Sequence, residues 1–128
     1  MLGRKFSLLK VVVLSLFGGR NMRVLDKLVY ICHQYGGEDE NKKRVTNLVK
    51  NLVQAYPNYC FLSPIHATGF FYHDISYERG MEHCLTLLDL CDEMWLFGNK
   101  SMSKGCMIEK DYCERYKIPV VDRGEYIE

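Results

Sequence analysis

The chain alternates short apolar runs with longer segments whose apolar residues recur at helical spacing. The short runs are rich in β-branched and aromatic residues, which predicts strands at residues 28–32, 59–62, 93–97 and 118–121. Between them, apolar residues recur every three or four positions, which predicts amphipathic helices over residues 38–55, 81–91 and 103–116. Ser103 suits the N-cap of the last helix, and residues 63–74 are expected to form a loop.

This order of elements, β-α-β-α-β-α-β with short connections, is typical of an α/β protein. It predicts a Rossmann-like or flavodoxin-like open parallel sheet of four to five strands, with right-handed crossovers and helices on both faces. With 128 residues the chain is expected to hold one such domain, over residues 22–128. In such sheets ligands bind outside the carboxyl ends of the strands.

Residues 1–21 form an N-terminal extension that the alternation does not include. Arg4 and Lys5 precede a short apolar run, as in a signal peptide, but Lys10 interrupts that run and no small-residue cleavage site follows. Gly18-Gly-Arg-Asn21 can be encoded by a purine-rich ribosome-binding sequence, which would make Met22 the true start. An added strand or docking segment, and a targeting role, stay open as alternatives.

Composition excludes several classes of function. The formal net charge is +1, so no global field favours a nucleic acid polymer or an anionic membrane. The six cysteines occur singly without a C-x-x-C pair, which predicts free thiols, no metal site and a cytoplasmic location. Neither a G-x-G-x-x-G fingerprint nor a Walker A motif occurs, and no cofactor is expected.

Polar and ionisable residues cluster where three predicted strands end. The strongest candidate is Glu109, which follows an apolar strand, a Gly/Asn/Ser loop and the start of a helix whose free N–H groups suit an anion. Tyr30 lies within the first strand. The other candidates for binding are His33, Tyr35, Gly36, Gly37, Ser63, His66, Gly98, Asn99, Ser101, Ser103 and Gly105.

Each of these residues also has an ordinary structural explanation. A glutamate in a helix is usually solvated, and Gly36-Gly37 is more often a strand-to-helix turn than a phosphate loop. His33 and His66 can be surface loop residues, and Ser103 can be only a cap.

Three blocks of the chain resemble the nucleoside 2-deoxyribosyltransferase-like superfamily, between Lys27 and Val121. They are Val-Tyr-Ile-Cys-His-Gln-Tyr-Gly-Gly (29–37), Leu-Ser-Pro-Ile-His (62–66) and Cys-Asp-Glu-Met-Trp-Leu-Phe-Gly (91–98), continued by Ser-x-Gly-x-x-x-Glu (103–109). The last block resembles the superfamily's nucleophile motif, in which the glutamate is Glu109. Tyr30 stands at the position of its active-site tyrosine.

The resemblance implies cleavage of an N-glycosidic bond in a nucleoside or nucleotide. Glu109 would attack C1′ and form a glycosyl ester, Tyr30 would tune it, and Ser101 and Ser103 would hold a 5′-phosphate. The resemblance also implies a homo-oligomer in which a neighbouring subunit completes the site. In one respect the chain differs: Leu85 stands where active transferases have an aspartate that assists the leaving base.

The sequence therefore favours two functions. The first is a nucleotide or nucleoside N-glycosidase, or a deoxyribosyltransferase-like enzyme, acting through Glu109. The alternative is a non-catalytic module that binds a nucleotide or an ADP-ribose-like signal, which Leu85 favours. A protein whose cleft is incidental is the third hypothesis.

Overall fold

The computed structural model describes Val12, residues 23–98 and residues 103–124 of the chain. The described segments fold in the order β1 (Lys27–Cys32), α1 (Asp39–Ala55), β2 (Tyr59–Leu62), α2 (Pro64–Thr68), a 3-10 turn (Gly69–Phe71), α3 (Tyr77–Asp89), β3 (Glu93–Phe97), α4 (Lys104–Tyr116) and β4 (Val120–Gly124). The predicted alternation of strands and helices is confirmed. Two predictions fall on residues that the structure does not describe. These are the start of the chain at Met22 and the N-terminal extension over residues 1–21, of which only Val12 is described.

The four strands form one all-parallel sheet in the order β2-β1-β3-β4. The chain therefore builds outward from β1 to β2, crosses back over β1, and continues with β3 and β4. This confirms the α/β Rossmann-like or flavodoxin-like class. The direction of winding reverses between β1 and β3, and in such sheets a crevice opens outside the carboxyl ends of the two strands at that point.

Alternate residues of the two central strands point to opposite faces, and each face has its own core. On one face, Val29 and Ile31 pack with Trp95 and with α1. On the other, Tyr30 and Cys32 pack against α3 and α4. Because β1 and β3 are covered by helices on both sides, their sequences are nearly continuous apolar runs. Both strands could therefore be predicted well from the sequence.

Asp92 joins the two central strands at their amino ends. Its Oδ2 accepts a hydrogen bond of 2.7 Å from the backbone N–H of Leu28 and pairs with Arg23. These contacts give Asp92 a structural role at the junction between α3 and β3.

Three boundaries differ from the predictions for local reasons. Residues 63–74 are not a plain loop, because Ser63 caps the short helix α2 and Pro64 occupies its first turn. Helix α3 begins at Tyr77 rather than 81, because the Ser76 side chain accepts a hydrogen bond from the backbone N–H of Arg79. Strand β4 begins later than predicted because the N–H of Ile118 donates to the carbonyl oxygen of Cys113 at the end of α4, and Pro119 has no N–H. Among the described residues, no helix is long and apolar enough to cross a membrane.

The packing of α1 on the sheet generates a stability prediction. Leu52 is fully buried in the α1 core, whereas its neighbour Val53 is 48% exposed. We expect Leu52→Ala to lower the free energy of unfolding by about 2–5 kcal/mol, because it removes buried methyl groups and leaves a cavity. Val53→Ala is the matched control, with an expected change below about 0.5 kcal/mol. Denaturant unfolding measures both, and equal losses would contradict the assigned face.

Candidate functional site

A cleft of about 370 Å³ is formed by the loop after β1, by α2 and the 3-10 turn, and by the first turns of α3 and α4. Of the predicted site residues, six line it: His33, Tyr35, Gly36, Ser103, Gly105 and Glu109. Predicted site residues from two separate blocks of the sequence thus share one cleft. They come together because the loop after β1 and the helix after β3 meet where the winding of the sheet reverses.

Glu109 is the buried acid of this cleft. It lies in the second turn of α4, is only 6% exposed, and its Oε2 atom has no hydrogen-bond partner among the described residues. Burial raises the pKa of this carboxyl from 4.5 to about 8. The carboxyl is therefore mostly protonated at neutral pH, because no described cation forms an ion pair with it to offset the lost hydration.

Tyr30 lies beneath Glu109, fully buried in the sheet. Burial first, and then the neighbouring Glu109 carboxyl, raise the pKa of the Tyr30 hydroxyl well above its usual range. The hydroxyl in turn opposes the rise in the Glu109 pKa. The two groups are thus close, yet Tyr30 Oη and Glu109 Oε2 both lack a partner at hydrogen-bond distance among the described residues. Two unsatisfied polar atoms side by side are typical of a ligand or water site.

Two cysteines share this environment. Cys106 lines the cleft in the first turn of α4, and Cys32 ends β1 beneath it. The Cys32 thiol, as a hydrogen-bond donor, lowers the pKa of Cys106, and the same contact raises the pKa of Cys32. All six cysteines are free thiols. Among the described residues, no cluster of three His, Cys, Asp or Glu side chains could hold a metal ion.

The imidazole ring of His33 is oriented by one backbone contact. Its Nδ1 is 2.7 Å from the carbonyl oxygen of Gln34. Because a carbonyl oxygen can only accept, Nδ1 carries a proton, and in the neutral form of the ring Nε2 then holds a free lone pair.

The amino end of α4 forms one wall. The Ser103 side chain caps the helix by accepting a hydrogen bond of 3.2 Å from the backbone N–H of Cys106. Gly105 lets Tyr77 cross this turn, since a Cβ there would lie 3.2 Å from the Tyr77 hydroxyl oxygen. Lys104 Nζ lies 5.2 Å from the centre of the Tyr77 ring. This end of the cleft combines a basic side chain with the positive end of the helix dipole.

Aromatic side chains form the remaining walls. The Tyr35 and Tyr72 rings meet edge to face, with centroids 5.1 Å apart, and Phe71 and Tyr77 also line the cleft. Gly37 has a φ of 74° and lies against Tyr72 and His73, so the turn after β1 needs glycine there. This is the structural role of Gly36-Gly37 that the sequence left open.

Four predicted residues lie away from the cleft. Gly37 supports the turn, and the N–H of Gly98 donates to the carbonyl oxygen of Gly124 at 3.1 Å. Ser63 and His66 face α1 instead, where His66 bonds both Ser63 Oγ and Thr46 Oγ1 at 2.7 Å. Asn99 and Ser101 lie outside the described residues.

The proton positions in the Ser63–His66–Thr46 group follow from one contact. The Thr46 hydroxyl donates to the carbonyl oxygen of Lys42 at 2.8 Å, so it must accept from His66 Nε2. A neutral His66 then accepts from Ser63 through Nδ1. Burial first, and then the charge of Lys42, lower the pKa of His66, which favours this neutral form.

Sequence analysis missed several lining residues on α3. Tyr77, Met81 and Cys84 follow one side of this helix into the cleft, and further along the helix Leu88 enters the core. The helical spacing of Met81 and Cys84 was visible in the sequence, but Tyr77 lay outside the predicted helix of residues 81–91, and no cleft was assigned to this side of the helix. Leu85 packs against that core and does not line the cleft.

The burial of Glu109 predicts an unusual dependence of stability on pH. Between pH 4.5 and about 8 the folded protein keeps a proton that the unfolded chain has lost, so stability is greatest below this window and falls as pH rises through it. The loss by pH 7 is of the order of 3 kcal/mol. We expect Glu109→Gln to melt at a higher temperature than wild type at pH 8 and at a similar temperature at pH 5.

Glu114→Gln is the control for this measurement, because Glu114 is exposed on the same helix. Its melting temperature should track that of wild type at every pH. Identical pH slopes for wild type and Glu109→Gln would contradict the buried, uncompensated acid.

Comparison with known proteins places the chain in a family. Residues 27–123 match the family described as "Domain of unknown function (DUF7768)", and this match covers β1 to β3, α1 to α4 and all but the last residue of β4. No curated protein matches the chain. Since the match spans well over half of the sequence, the chain belongs to the DUF7768 family.

Proposed function

We propose that the protein is an N-glycosidase or deoxyribosyltransferase-like enzyme that cleaves the N-glycosidic bond of a nucleoside or nucleotide through Glu109. The observation that carries this proposal is the isolated, buried carboxyl of Glu109 at a cleft of small-molecule size, with Oε2 unsatisfied. A carboxylate with few hydrogen bonds and little water around it is a strong nucleophile once it is ionised.

The chemistry would proceed in two steps. A Glu109 oxygen attacks C1′ as the C1′–N bond breaks, through a transition state with oxocarbenium character, and water or a second base then resolves the glycosyl ester. Tyr30 is a positioning residue, since its unpartnered hydroxyl lies beside the carboxyl and would donate to it when it ionises. His33 Nε2 would accept a proton from the attacking water.

The two ends of the cleft suit the two ends of a nucleotide. The aromatic walls suit a flat base, because each ring can stack or meet it edge to face. Lys104, together with the free N–H groups in the first turn of α4, suits a phosphate.

A non-catalytic binding module is the second candidate. Leu85 is a core residue and supplies no acid to the cleft, and Glu109 is mostly protonated at neutral pH. A neutral carboxyl would donate a hydrogen bond to a ligand rather than attack it.

We also propose that the protein is cytoplasmic and forms a homo-oligomer. The six free thiols support a reducing compartment. The Phe70 ring, 80% exposed on the 3-10 turn beside the cleft, supports an apolar contact with a second copy.

Base release tests the proposed enzyme directly. Wild type, Glu109→Ala and Glu114→Gln are incubated with nucleosides, deoxynucleoside monophosphates and pyridine nucleotides, and free base is measured by mass spectrometry. We expect release by wild type and Glu114→Gln, and a rate about 10³-fold lower or less for Glu109→Ala. Release that survives in Glu109→Ala would exclude Glu109 as the nucleophile. Ligand-dependent stabilisation without any release would support the binding module.

The two candidates differ in their dependence on pH. An attacking Glu109 must be ionised, so kcat/KM should rise with pH and level off above about 8, the pKa of this group in the free protein. A binding module that uses the protonated carboxyl as a donor should instead lose affinity for a neutral nucleoside through the same range. Initial rates and titrations between pH 5.5 and 9.5 separate the two, and a flat rate profile would contradict the nucleophile.

A further inference from the structure

Among the residues that the structure describes, a single carboxyl group lines the cleft. Glu109 is the one Asp or Glu in that set. Enzymes that hydrolyse O-glycosides use two carboxyls, one of which protonates the leaving group. With Glu109 attacking C1′, no second carboxyl in this set can do so.

The other lining groups are poor proton donors for a leaving base. The Nδ1–H of His33 is directed at the carbonyl oxygen of Gln34 and is not available to a leaving base. Burial raises the pKa values of Tyr35 and Tyr77, which makes them weaker acids. Cys106 is shifted toward its thiolate by the Cys32 thiol. A leaving group that needs no proton would therefore suit this set of described groups best.

Among the described residues, the titratable groups whose charges act on Glu109 also carry no positive charge. The titratable groups that face it are Tyr30 and Cys32 from β1, Tyr77 and Cys84 from α3, and Cys106 and Cys113 from its own helix. Each of these is either neutral or negative. Lys104 also lines the cleft, and its Nζ lies 5.2 Å from the centre of the Tyr77 ring. A positive ligand would supply the missing counter-charge to Glu109.

The cleft walls suit such a ligand. Four aromatic side chains line the cleft: Tyr35, Phe71, Tyr72 and Tyr77. Aromatic faces attract cations, most strongly when water is excluded. A flat heteroaromatic cation satisfies both features, because its ring packs on the aromatic walls while its charge faces the carboxyl.

We propose that the substrate is an N-glycoside of a cationic heteroaromatic ring of the pyridinium class. The inference rests on the proposed function. The leaving group then needs no acid: a Glu109 oxygen bonds to C1′, the C1′–N bond breaks, and its electron pair neutralises the ring nitrogen. Water next attacks C1′, its proton passes to His33 Nε2, and the C1′–oxygen bond of the ester breaks to restore the carboxylate.

A matched pair of small probes tests the recognition of charge. N1-methylnicotinamide is a cation that the protein cannot cleave, and nicotinamide is its neutral counterpart. We expect wild type to bind the cation at least about 10-fold more tightly at pH 8, and to release protons on binding at pH 7 as Glu109 ionises. Glu109→Gln should lose this preference, while Glu114→Gln should keep it. Calorimetry in buffers of different ionisation enthalpy measures both quantities.

Cleavage assays complete the test with nicotinamide riboside and neutral nucleosides such as adenosine and uridine. Cleavage of the pyridinium riboside, with at least about 100-fold slower cleavage of the neutral nucleosides, would support the proposal. Equal binding of both probes, or Glu109-dependent cleavage of neutral nucleosides at comparable rates, would overturn the substrate class and leave the proposed function standing. Selective binding of the cation without cleavage of any glycoside would overturn the enzymatic function itself.

Discussion

The pairing of β1 with β3 is the constraint on which the rest of the structure depends. Both strands are central, so their alternate residues form the cores of the two faces. Asp92 fixes their amino ends together, and their carboxyl ends open where the winding of the sheet reverses. A cleft at that edge is therefore a consequence of strand order, and the loop after β1 and the helix after β3 must meet there.

The same pairing explains why Glu109 is buried. Helix α4 packs on the face that Tyr30 and Cys32 present, so a residue in its second turn is directed at the sheet. An apolar side chain at this position would satisfy the packing without a buried polar atom. The chain instead holds an acid whose neutral form is the stable one at pH 7. Uncompensated burial of this kind opposes stability, and ionisable groups with such shifts cluster at functional sites.

Much of the fold could be predicted from sequence because local signals agree with tertiary structure. Strands β2 and β3 have the predicted bounds, since each is a compact apolar run between polar residues. The side chains of Ser63 and Ser76 cap α2 and α3 and so set where these helices begin. Such caps are less visible in the sequence than apolar residues at helical spacing. The candidate site was harder. That His33 and Glu109 share a cleft follows from topology, but the direction of His66 depends on a contact with Thr46, twenty residues earlier in the chain. The protonation of Glu109 depends on burial, which no local pattern reports.

The isolation of Glu109 also limits the chemistry that the cleft can perform. An enzyme with two carboxyls can divide the roles of nucleophile and acid between them, by giving them different environments. Here the described cleft offers one carboxyl, weak acids whose pKa values are mostly raised, and a histidine that presents a lone pair. Such a site offers a nucleophile and a proton acceptor but few groups that can donate a proton. The free-energy cost of ionising Glu109 falls when a positive charge lies beside the carboxyl. A cationic substrate would therefore favour the ionised, nucleophilic form of Glu109 by its own binding.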